Sequence, residues 1–237
     1  SKMKFDDFSK ILNLSLKNNI RFIDTAINYG NSEELIGKAI IKNKYRKVIY
    51  VITKIDKLRF IPKKKISEYI ENYVNSSIKK LKVKKLYAVL IHDTKDLDSS
   101  KNICIYKSLI KIKKKGLVKK IGLSSYNIKD LKKYLSKFKF DIVQFPFNVF
   151  DQRILQKDIQ KFLRNKKVEI HIRSIFLQGL LLLPRKMIPK KFFLKNNALD
   201  KWFKIINNTG MSPLDLSLNF ILKYNFYKKI VIGFDDY

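Results

Sequence analysis

The sequence contains few of the residues that form covalent cross-links or special turns. Among its 237 residues there are one cysteine, five prolines and seven glycines. A single cysteine excludes a disulfide framework within the chain and is typical of a reducing compartment. That residue, Cys104, lies in NICIYKSLI on the apolar phase of a predicted helix, so we expect it to be an inert core residue.

Long hydrophobic runs are also missing from the sequence. The longest, SIFLQGLLLLP, is too short to span a bilayer and contains Gln178. The first residues, SKMKFDDFSK, show no apolar signal region, so we expect a cytoplasmic protein with no membrane partner. Hydrophobic residues still make up 46% of the chain, which excludes disorder and allows a sizeable core.

Acidic residues are scarce, with 20 against 52 Lys and Arg, which gives a formal net charge of +32. This excess raises the hypothesis of a nucleic-acid-associated protein, because basic clusters release counterions when they bind phosphates. The basic residues are mostly lysines and occur in every helix-like segment, whereas base readout favours Arg, Asn and Gln on one localised face. We therefore expect no specific nucleic-acid partner and keep nucleic-acid association as an alternative.

Short apolar, β-branched runs alternate with longer amphipathic, lysine-rich segments. The seven strand-like runs are RFIDTA, KVIYVITK, LYAVLIH, LVKKIGLS, FDIVQFPF, VEIHIRSIF and KKIVIGF. This alternation predicts an α/β fold with parallel strands joined by right-handed helical crossovers. Ser32 and Asn127 fit helix N-caps, and Gly116 fits a helix C-terminal stop. No linker rich in Pro, Gly or Ser divides the sequence, which predicts a single domain over residues 1–237.

Seven such strands suit either an open doubly wound sheet or most of an eight-stranded (β/α) barrel. The glycines lie too far apart for the G-x-G-x-x-G fingerprint of a dinucleotide-binding sheet, which favours the barrel. In a barrel, functional side chains gather at the carboxyl ends of the strands. Asp24, Lys54 and His92 stand at the ends of three consecutive predicted strands, and Tyr29 lies on the loop after the first.

Each of these four residues has an ordinary structural interpretation when it is taken alone. Lys54 could be one more surface lysine, His92 a hydrogen-bonded structural histidine, Tyr29 a packing residue in a loop, and Asp24 a helix or turn capper. Together they have a chemical purpose, because a phenol with a pKa near ~10 is a poor acid until a nearby ammonium favours its ionised form. Asp24 would keep Lys54 charged and aimed, and His92 would orient a carbonyl oxygen or assist proton transfer.

The same residues carry a resemblance to the aldo-keto reductase family of NAD(P)H-dependent carbonyl reductases with a (β/α)₈ TIM-barrel fold. The family motif D-T-A-x-x-Y-G is present as DTAINYG, followed by NSEELIGKAI, by the TK of KVIYVITK and by the H of LYAVLIH. Further similar segments are GLVKKIGLSSY, DIVQFPFNVFDQ and RSIFLQGLL. The resemblance covers nearly the whole chain.

The resemblance implies that Tyr29 is the general acid, that Lys54 and Asp24 tune it, and that His92 positions the substrate. It also implies that Ser124, Ser125 and Gln144 bind the carboxamide of the cofactor. Helix capping is the alternative for the two serines. Where relatives have Asn after the first serine this chain has Ser125, and where an aromatic residue often stacks on the nicotinamide it has Arg173.

A guanidinium can stack on a ring, so Arg173 is a candidate cofactor contact. The alternative is a buried charge network with His171 and Glu169 on the same strand face. Relative to the family, we expect this chain to lack the first barrel strand and the last helix, where relatives hold the adenosine phosphate. The sequence therefore leaves the choice of cofactor open, although the family habit and the basic surface favour NADP over NAD.

The substrate is expected to be a small-molecule carbonyl compound. SIFLQGLLLLP and the segment after it resemble reductases found among bacterial surface-polysaccharide genes, which implies a sugar or nucleotide-sugar carbonyl; a generic aldehyde stays open. An alternative of another class is a catalytically silent barrel that binds nicotinamide as a regulatory subunit. The sequence predicts no metal site and no particular oligomeric state.

Overall fold

The structure, a computed structural model, describes residues 4–45, 48–193 and 197–234. The helices are α1 (Phe5–Lys17), α2 (Ser32–Lys42), α3 (Ile66–Leu81), α4 (Asn102–Lys114), α5 (Ile128–Lys137), α6 (Lys157–Lys166), α7 (Ala198–Thr209) and α8 (Pro213–Leu222). The strands are β1 (Phe22–Asp24), β2 (Tyr50–Ile55), β3 (Leu86–Ile91), β4 (Val118–Ser124), β5 (Ile142–Pro146), β6 (Glu169–Arg173) and β7 (Lys229–Ile230). Their order in the sheet follows the chain.

The chain divides into two compact units, one formed by Ser1–Val143 with Gly233–Tyr237 and the other by Gln144–Ile232. The single domain expected from the sequence stays a prediction. All seven predicted strands are present, although β7 is only two residues long. The second predicted strand includes Lys47, which lies outside the described residues.

The first unit is built on parallel strands. β1 pairs with β2, β2 with β3 and β3 with β4, and the registers place Asp24 opposite Ile52 and Lys54 opposite Leu90. β2 and β3 are buried along almost their whole length, as parallel strands covered by helices are. The main core cluster contains Ile52, Ala88, Leu90 and Ile142, with Phe22 and Tyr87 packed against it.

Two of the three helix-end signals predicted from the sequence are found in the structure. Asn127 caps α5 by accepting a hydrogen bond from the backbone N–H of Lys129, and Gly116, with a φ of +75°, follows Lys115, the C-cap of α4. The predicted N-cap at Ser32 is wrong, because α2 starts at Ser32 and its N-cap is Asn31. The Ser32 hydroxyl instead hydrogen-bonds the Thr25 hydroxyl at 2.7 Å, which ties the helix to the loop before it.

Helices α2 and α3 come into very close contact at Gly37. A Cβ atom at this position would lie 1.9 Å from the carbonyl oxygen of Lys80, so any larger residue would push the helices apart. The side chains of Glu33 on α2 and Tyr73 on α3 are both buried. The small residue therefore lets these two helices pack tightly in the unit that contains β1 and β2.

The second unit has its own core. β6 pairs in parallel with β7, with His171 opposite Lys229. The buried ring of Phe147 contacts three aromatic rings from α8 and the segment after it, those of Phe220, Tyr224 and Phe226, with centroids 5.1 to 5.3 Å apart. This aromatic group anchors α8.

The expectation that Cys104 is a core residue is wrong. Its side chain is only half-buried, and its thiol donates to the carbonyl oxygen of Lys63 at 3.7 Å. The apolar positions of α4 that reach the core are Ile105, Leu109 and Ile112, one turn apart along a neighbouring stripe. Among the described helices, none is long and apolar enough to cross a membrane.

Candidate active site

Three strand ends of the first unit bear the acid, lysine and histidine singled out in the sequence. Asp24 is the last residue of β1, Lys54 is the penultimate residue of β2, and His92 follows β3 directly. Because these strands are parallel and neighbouring, their carboxyl ends lie at one edge of the sheet. Tyr29 lies in the loop between β1 and α2.

Lys54 is buried, with 2% of its surface exposed. Its ammonium donates a hydrogen bond to the carboxylate of Asp24 and another, of 3.1 Å, to the carbonyl oxygen of Thr25. The side chain of Asp24 is itself 15% exposed. A buried ammonium is tolerable only when it is paired and hydrogen-bonded, and both conditions are met here.

Tyr29 and His92 complete this group. The Lys54 ammonium lies 5.5 Å from the centroid of the Tyr29 ring, and the ring of His92 lies edge-on to it with centroids 6.1 Å apart. Tyr29 is 52% exposed, so a small molecule can reach it from solvent. The structure thus brings together the four residues Asp24, Tyr29, Lys54 and His92, far apart in the chain, in the first unit.

The loop that carries Tyr29 is fixed at several points. The side-chain amide of Asn28 donates to the carboxylate of Asp56, which follows β2. The backbone N–H of Tyr29 donates to the carbonyl oxygen of Ala26 at 3.0 Å. Sequence reasoning did not identify Asn28 or Asp56, because an amide and a carboxylate 28 residues apart carry no periodic signal.

A buried polar group lies on the other side of β2. Thr53 is fully buried and donates to the carboxylate of Glu33 at 2.8 Å. The hydroxyl of Tyr73, on α3, donates to the carbonyl oxygen of Lys54 at 2.7 Å. Burial raises the pKa of the Tyr73 phenol, so it stays a hydrogen-bond donor at any physiological pH. Sequence reasoning missed these residues too, although strand alternation alone puts Thr53 on the face opposite Lys54.

The loops after β2 and β3 are joined by charged residues. Arg59 donates to Asp93 at 2.8 Å and to the fully buried Asp96 at 3.1 Å. The ammonium of Lys101 donates to the carbonyl oxygens of Arg59 and Ile61. Burial raises the pKa of Asp96, despite its bonds to Arg59. These contacts fix the loop that begins at His92.

The two serines predicted to bind cofactor stand at and just after the end of β4. Ser124 and Ser125 are both buried. The Ser125 hydroxyl donates to the carbonyl oxygen of Asn127 at 2.9 Å and lies 3.1 Å from its backbone nitrogen. The side chain that caps α5 is that of Asn127, so Ser125 shapes the turn before the helix.

Gln144 and Arg173 belong to the second unit. Gln144 is fully buried on β5, and Arg173 is half-buried at the end of β6, where its guanidinium donates to the Ser174 hydroxyl at 3.3 Å. His171, two residues before Arg173, is buried and lies 2.7 Å from the carboxylate of Glu169. The assignment of Ser124, Ser125, Gln144 and Arg173 to a cofactor stays a prediction.

The whole-chain comparison decides the family. The model of the aldo/keto reductase family matches residues 1–236. The chain belongs to this family. The assignment of Asp24, Tyr29, Lys54 and His92 as its catalytic residues stays a prediction.

Solved aldo-keto reductases share the fold. The holo form of an aldo-keto reductase from Bacillus halodurans is 20% identical and matches with a TM-score of 0.75, over 98% of this chain and 79% of the other. An aldo/keto reductase from Klebsiella pneumoniae, in complex with NADP and acetate, is 14% identical with a TM-score of 0.69, over 97% and 75% of the two chains. The α/β barrel fold class predicted from the sequence is confirmed.

One curated relative is similar over part of the chain. The D-arabinose 1-dehydrogenase of Saccharomyces cerevisiae is 27% identical over 121 residues, which is 50% of this chain. The match spans only 36% of the yeast protein's length.

Proposed function

We propose that this aldo-keto reductase reduces a carbonyl compound to an alcohol with NADPH, and that Tyr29 is its general acid. The observation that carries the proposal is the position of the Lys54 ammonium, 5.5 Å from the centroid of the Tyr29 ring and hydrogen-bonded to Asp24. A positive charge beside a phenol favours its ionised form and so makes it a better acid. A structural role of Lys54 is already satisfied by its bonds to Asp24 and Thr25 and does not require a half-exposed phenol nearby.

Each residue of the group has a distinct role. Tyr29 donates its proton to the carbonyl oxygen as negative charge develops there, and Lys54 stabilises the tyrosinate that remains. Asp24 holds the ammonium in place. His92, whose ring lies edge-on to that of Tyr29, orients the carbonyl oxygen by a hydrogen bond. The exposed position of Tyr29 lets it regain a proton from water after turnover.

The polar residues at the ends of β4 and β6 and in the middle of β5 fit a nicotinamide cofactor chemically. Hydroxyl and amide groups match the donor and acceptor of a carboxamide, so Ser124, Ser125 and Gln144 would hold that group. The planar guanidinium of Arg173 would lie against the ring. When bound, the cofactor supplies the hydride that reaches the carbonyl carbon. The Klebsiella pneumoniae relative, which is in complex with NADP, supports NADPH as the cofactor.

The proposed substrate is a sugar or nucleotide-sugar carbonyl. The partial similarity to a D-arabinose 1-dehydrogenase supports a sugar, and a half-exposed Tyr29 can receive a bulky polar substrate. Simple aldehydes are the comparison class in the assay.

We propose further that the chain acts as one domain.

The test is a fluorescence titration with NADPH and NADH, followed by an assay of cofactor oxidation with aldoses, keto-sugars and simple aldehydes. Replacement of Tyr29 by Phe should lower kcat by about 10²- to 10⁴-fold and leave NADPH affinity nearly unchanged, because only the proton donor is lost. Tyr50→Phe is the matched control. Tyr50 is a similarly exposed tyrosine at the opposite end of β2, and its substitution should leave kcat unchanged.

Unchanged turnover in Tyr29→Phe would refute the assignment of the general acid. Binding of NADPH by the wild type without oxidation by any carbonyl would favour a silent nicotinamide-binding barrel instead. Failure to bind either nucleotide would overturn the cofactor proposal.

A further inference from the structure

The backbone ladder between β1 and β2 ends just before the catalytic group. The backbone N–H of Thr25 donates to the carbonyl oxygen of Ile52 at 2.9 Å, and this is the last described bond of the ladder. Backbone bonds of parallel strands repeat every two residues, so the next acceptor on this edge of β2 is the carbonyl oxygen of Lys54. Its ladder partner would be the backbone N–H of Ile27, but the chain has already turned into the loop of Tyr29.

The hydroxyl of Tyr73 takes the place of the missing ladder bond. It donates to the carbonyl oxygen of Lys54 at 2.7 Å. Burial raises the pKa of this phenol, so the hydroxyl stays protonated and able to donate at neutral pH. It therefore satisfies the last acceptor on this edge of β2, beside the loop that carries Tyr29.

The position of this hydroxyl relates it to the reacting lysine. Its acceptor is the peptide of Lys54, whose ammonium lies 5.5 Å from the centroid of the Tyr29 ring. The Tyr73 side chain is 7% exposed and comes from α3, which the contact at Gly37 packs tightly against α2. A buried hydroxyl on a packed helix is a more rigid support than a loop contact.

We propose that Tyr73 is a positioning residue for carbonyl reduction, which fixes the Lys54 peptide at the point where β1 and β2 part. The inference rests on the proposed function. Tyr73 does not touch substrate or cofactor in this role; it acts through the distance between the ammonium and the phenol.

The test replaces Tyr73 by Phe, which keeps the ring and removes only the hydroxyl. The matched control is Tyr134→Phe on α5, because Tyr134 is also a buried tyrosine and its hydroxyl donates to Asp98 and not to the strands that bear the proposed catalytic residues. We expect Tyr73→Phe to lower kcat about ten-fold with KM and NADPH affinity nearly unchanged. Tyr134→Phe should lower the melting temperature by a similar amount and leave kcat unchanged.

A second measurement does not depend on turnover. Hydrogen exchange of the cofactor-free protein should show faster exchange of the backbone amides at residues 54–56 in Tyr73→Phe, and wild-type exchange there in Tyr134→Phe. Equal kcat loss in both variants would reduce Tyr73 to a stability residue, and unchanged exchange at residues 54–56 would overturn the proposal. If the wild type reduces no carbonyl compound, the proposed function fails, while the exchange data still decide whether Tyr73 holds the end of β2.

Discussion

At the scale of single residues, the proposed catalytic role of the Lys54–Asp24 ion pair can be separated from its contribution to folding. Replacement of Lys54 by Met keeps the length of the side chain and removes the charge. We expect kcat to fall at least about 100-fold, because the phenol loses the neighbouring ammonium. The free energy of unfolding should fall by about 1–3 kcal/mol, because the Asp24 carboxylate loses its partner. Enzyme assays and urea denaturation measure the two effects.

The double variant Lys54→Met, Asp24→Asn separates these roles. Removing both charges should restore much of the stability, since no unpaired carboxylate remains, and should restore no activity. Lys113→Met is the control for loss of a lysine ion pair, because Lys113 bonds Asp141 at 2.7 Å on the outer side of the same unit. The kcat of Lys113→Met should equal that of the wild type. Recovery of turnover in the double variant would contradict the role given to the ammonium.

At the scale of elements, two carboxylates in and directly after the 3₁₀ turn Thr94–Leu97 have pKa values that are shifted in opposite directions. Burial raises the pKa of Asp96, whereas the hydrogen bond from Lys133, supported by that from Tyr134, lowers the pKa of Asp98. The two residues lie two positions apart but respond to different surroundings: Asp96 is fully buried, and the side chain of Asp98 is 47% exposed.

The two shifts predict opposite pH dependences of stability. A raised native pKa means that the folded state binds the extra proton, so Asp96 contributes more to stability as pH falls through its native pKa towards the unfolded value of ~3.9. The stability difference between wild type and Asp96→Asn should therefore shift in favour of the wild type between pH 7 and pH ~4. For Asp98, stabilisation is present above ~3.9 and is lost as pH falls through the lowered native pKa.

Urea denaturation of Asp96→Asn and Asp98→Asn over a pH series measures both differences. The advantage of the wild type over Asp98→Asn should shrink below pH ~4 and should be small at every pH, because the group is half exposed. If the stability difference between wild type and variant changed in the same direction with pH for both variants, the surroundings assigned to Asp96 and Asp98 would be wrong.

The helices and strands themselves were largely predictable because each carries its own periodic pattern. The strand ends with Asp24, Lys54 and His92 could be placed from alternation and parallel pairing, and Asn127 from its capping position. Cys104 and Ser32 were misassigned by one helical position, which a pattern cannot resolve. Tyr73 could not be predicted, because its role depends on how α3 packs across Gly37.

At the scale of the whole molecule, the charge imbalance acts against the compact state. With a net charge of +32, lysines must lie near other lysines, as Lys107, Lys111 and Lys114 on α4 and its C-cap Lys115 do. Some repulsion is offset locally, because Glu71 on α3 bonds Lys115 and lies 3.5 Å from Lys111. Among the described ion pairs, Lys114 takes part in none. Screening of this repulsion by salt should therefore change the stability of the folded protein more than any single surface ion pair does.

We accordingly expect the melting temperature to rise between about 10 mM and 200 mM NaCl, as the Debye length falls from ~30 Å to below ~10 Å. Two neighbouring charge reversals sharpen the test. Lys114→Glu relieves repulsion with Lys111, three residues earlier on α4, whereas Lys115→Glu destroys the bond to Glu71. Both place a negative charge at the same helix end, so the helix dipole affects them alike. At low salt Lys114→Glu should have the higher melting temperature of the two variants, and the difference between them should narrow as salt is added. A melting temperature of the wild type that falls as salt is added would contradict the prediction that charge repulsion dominates.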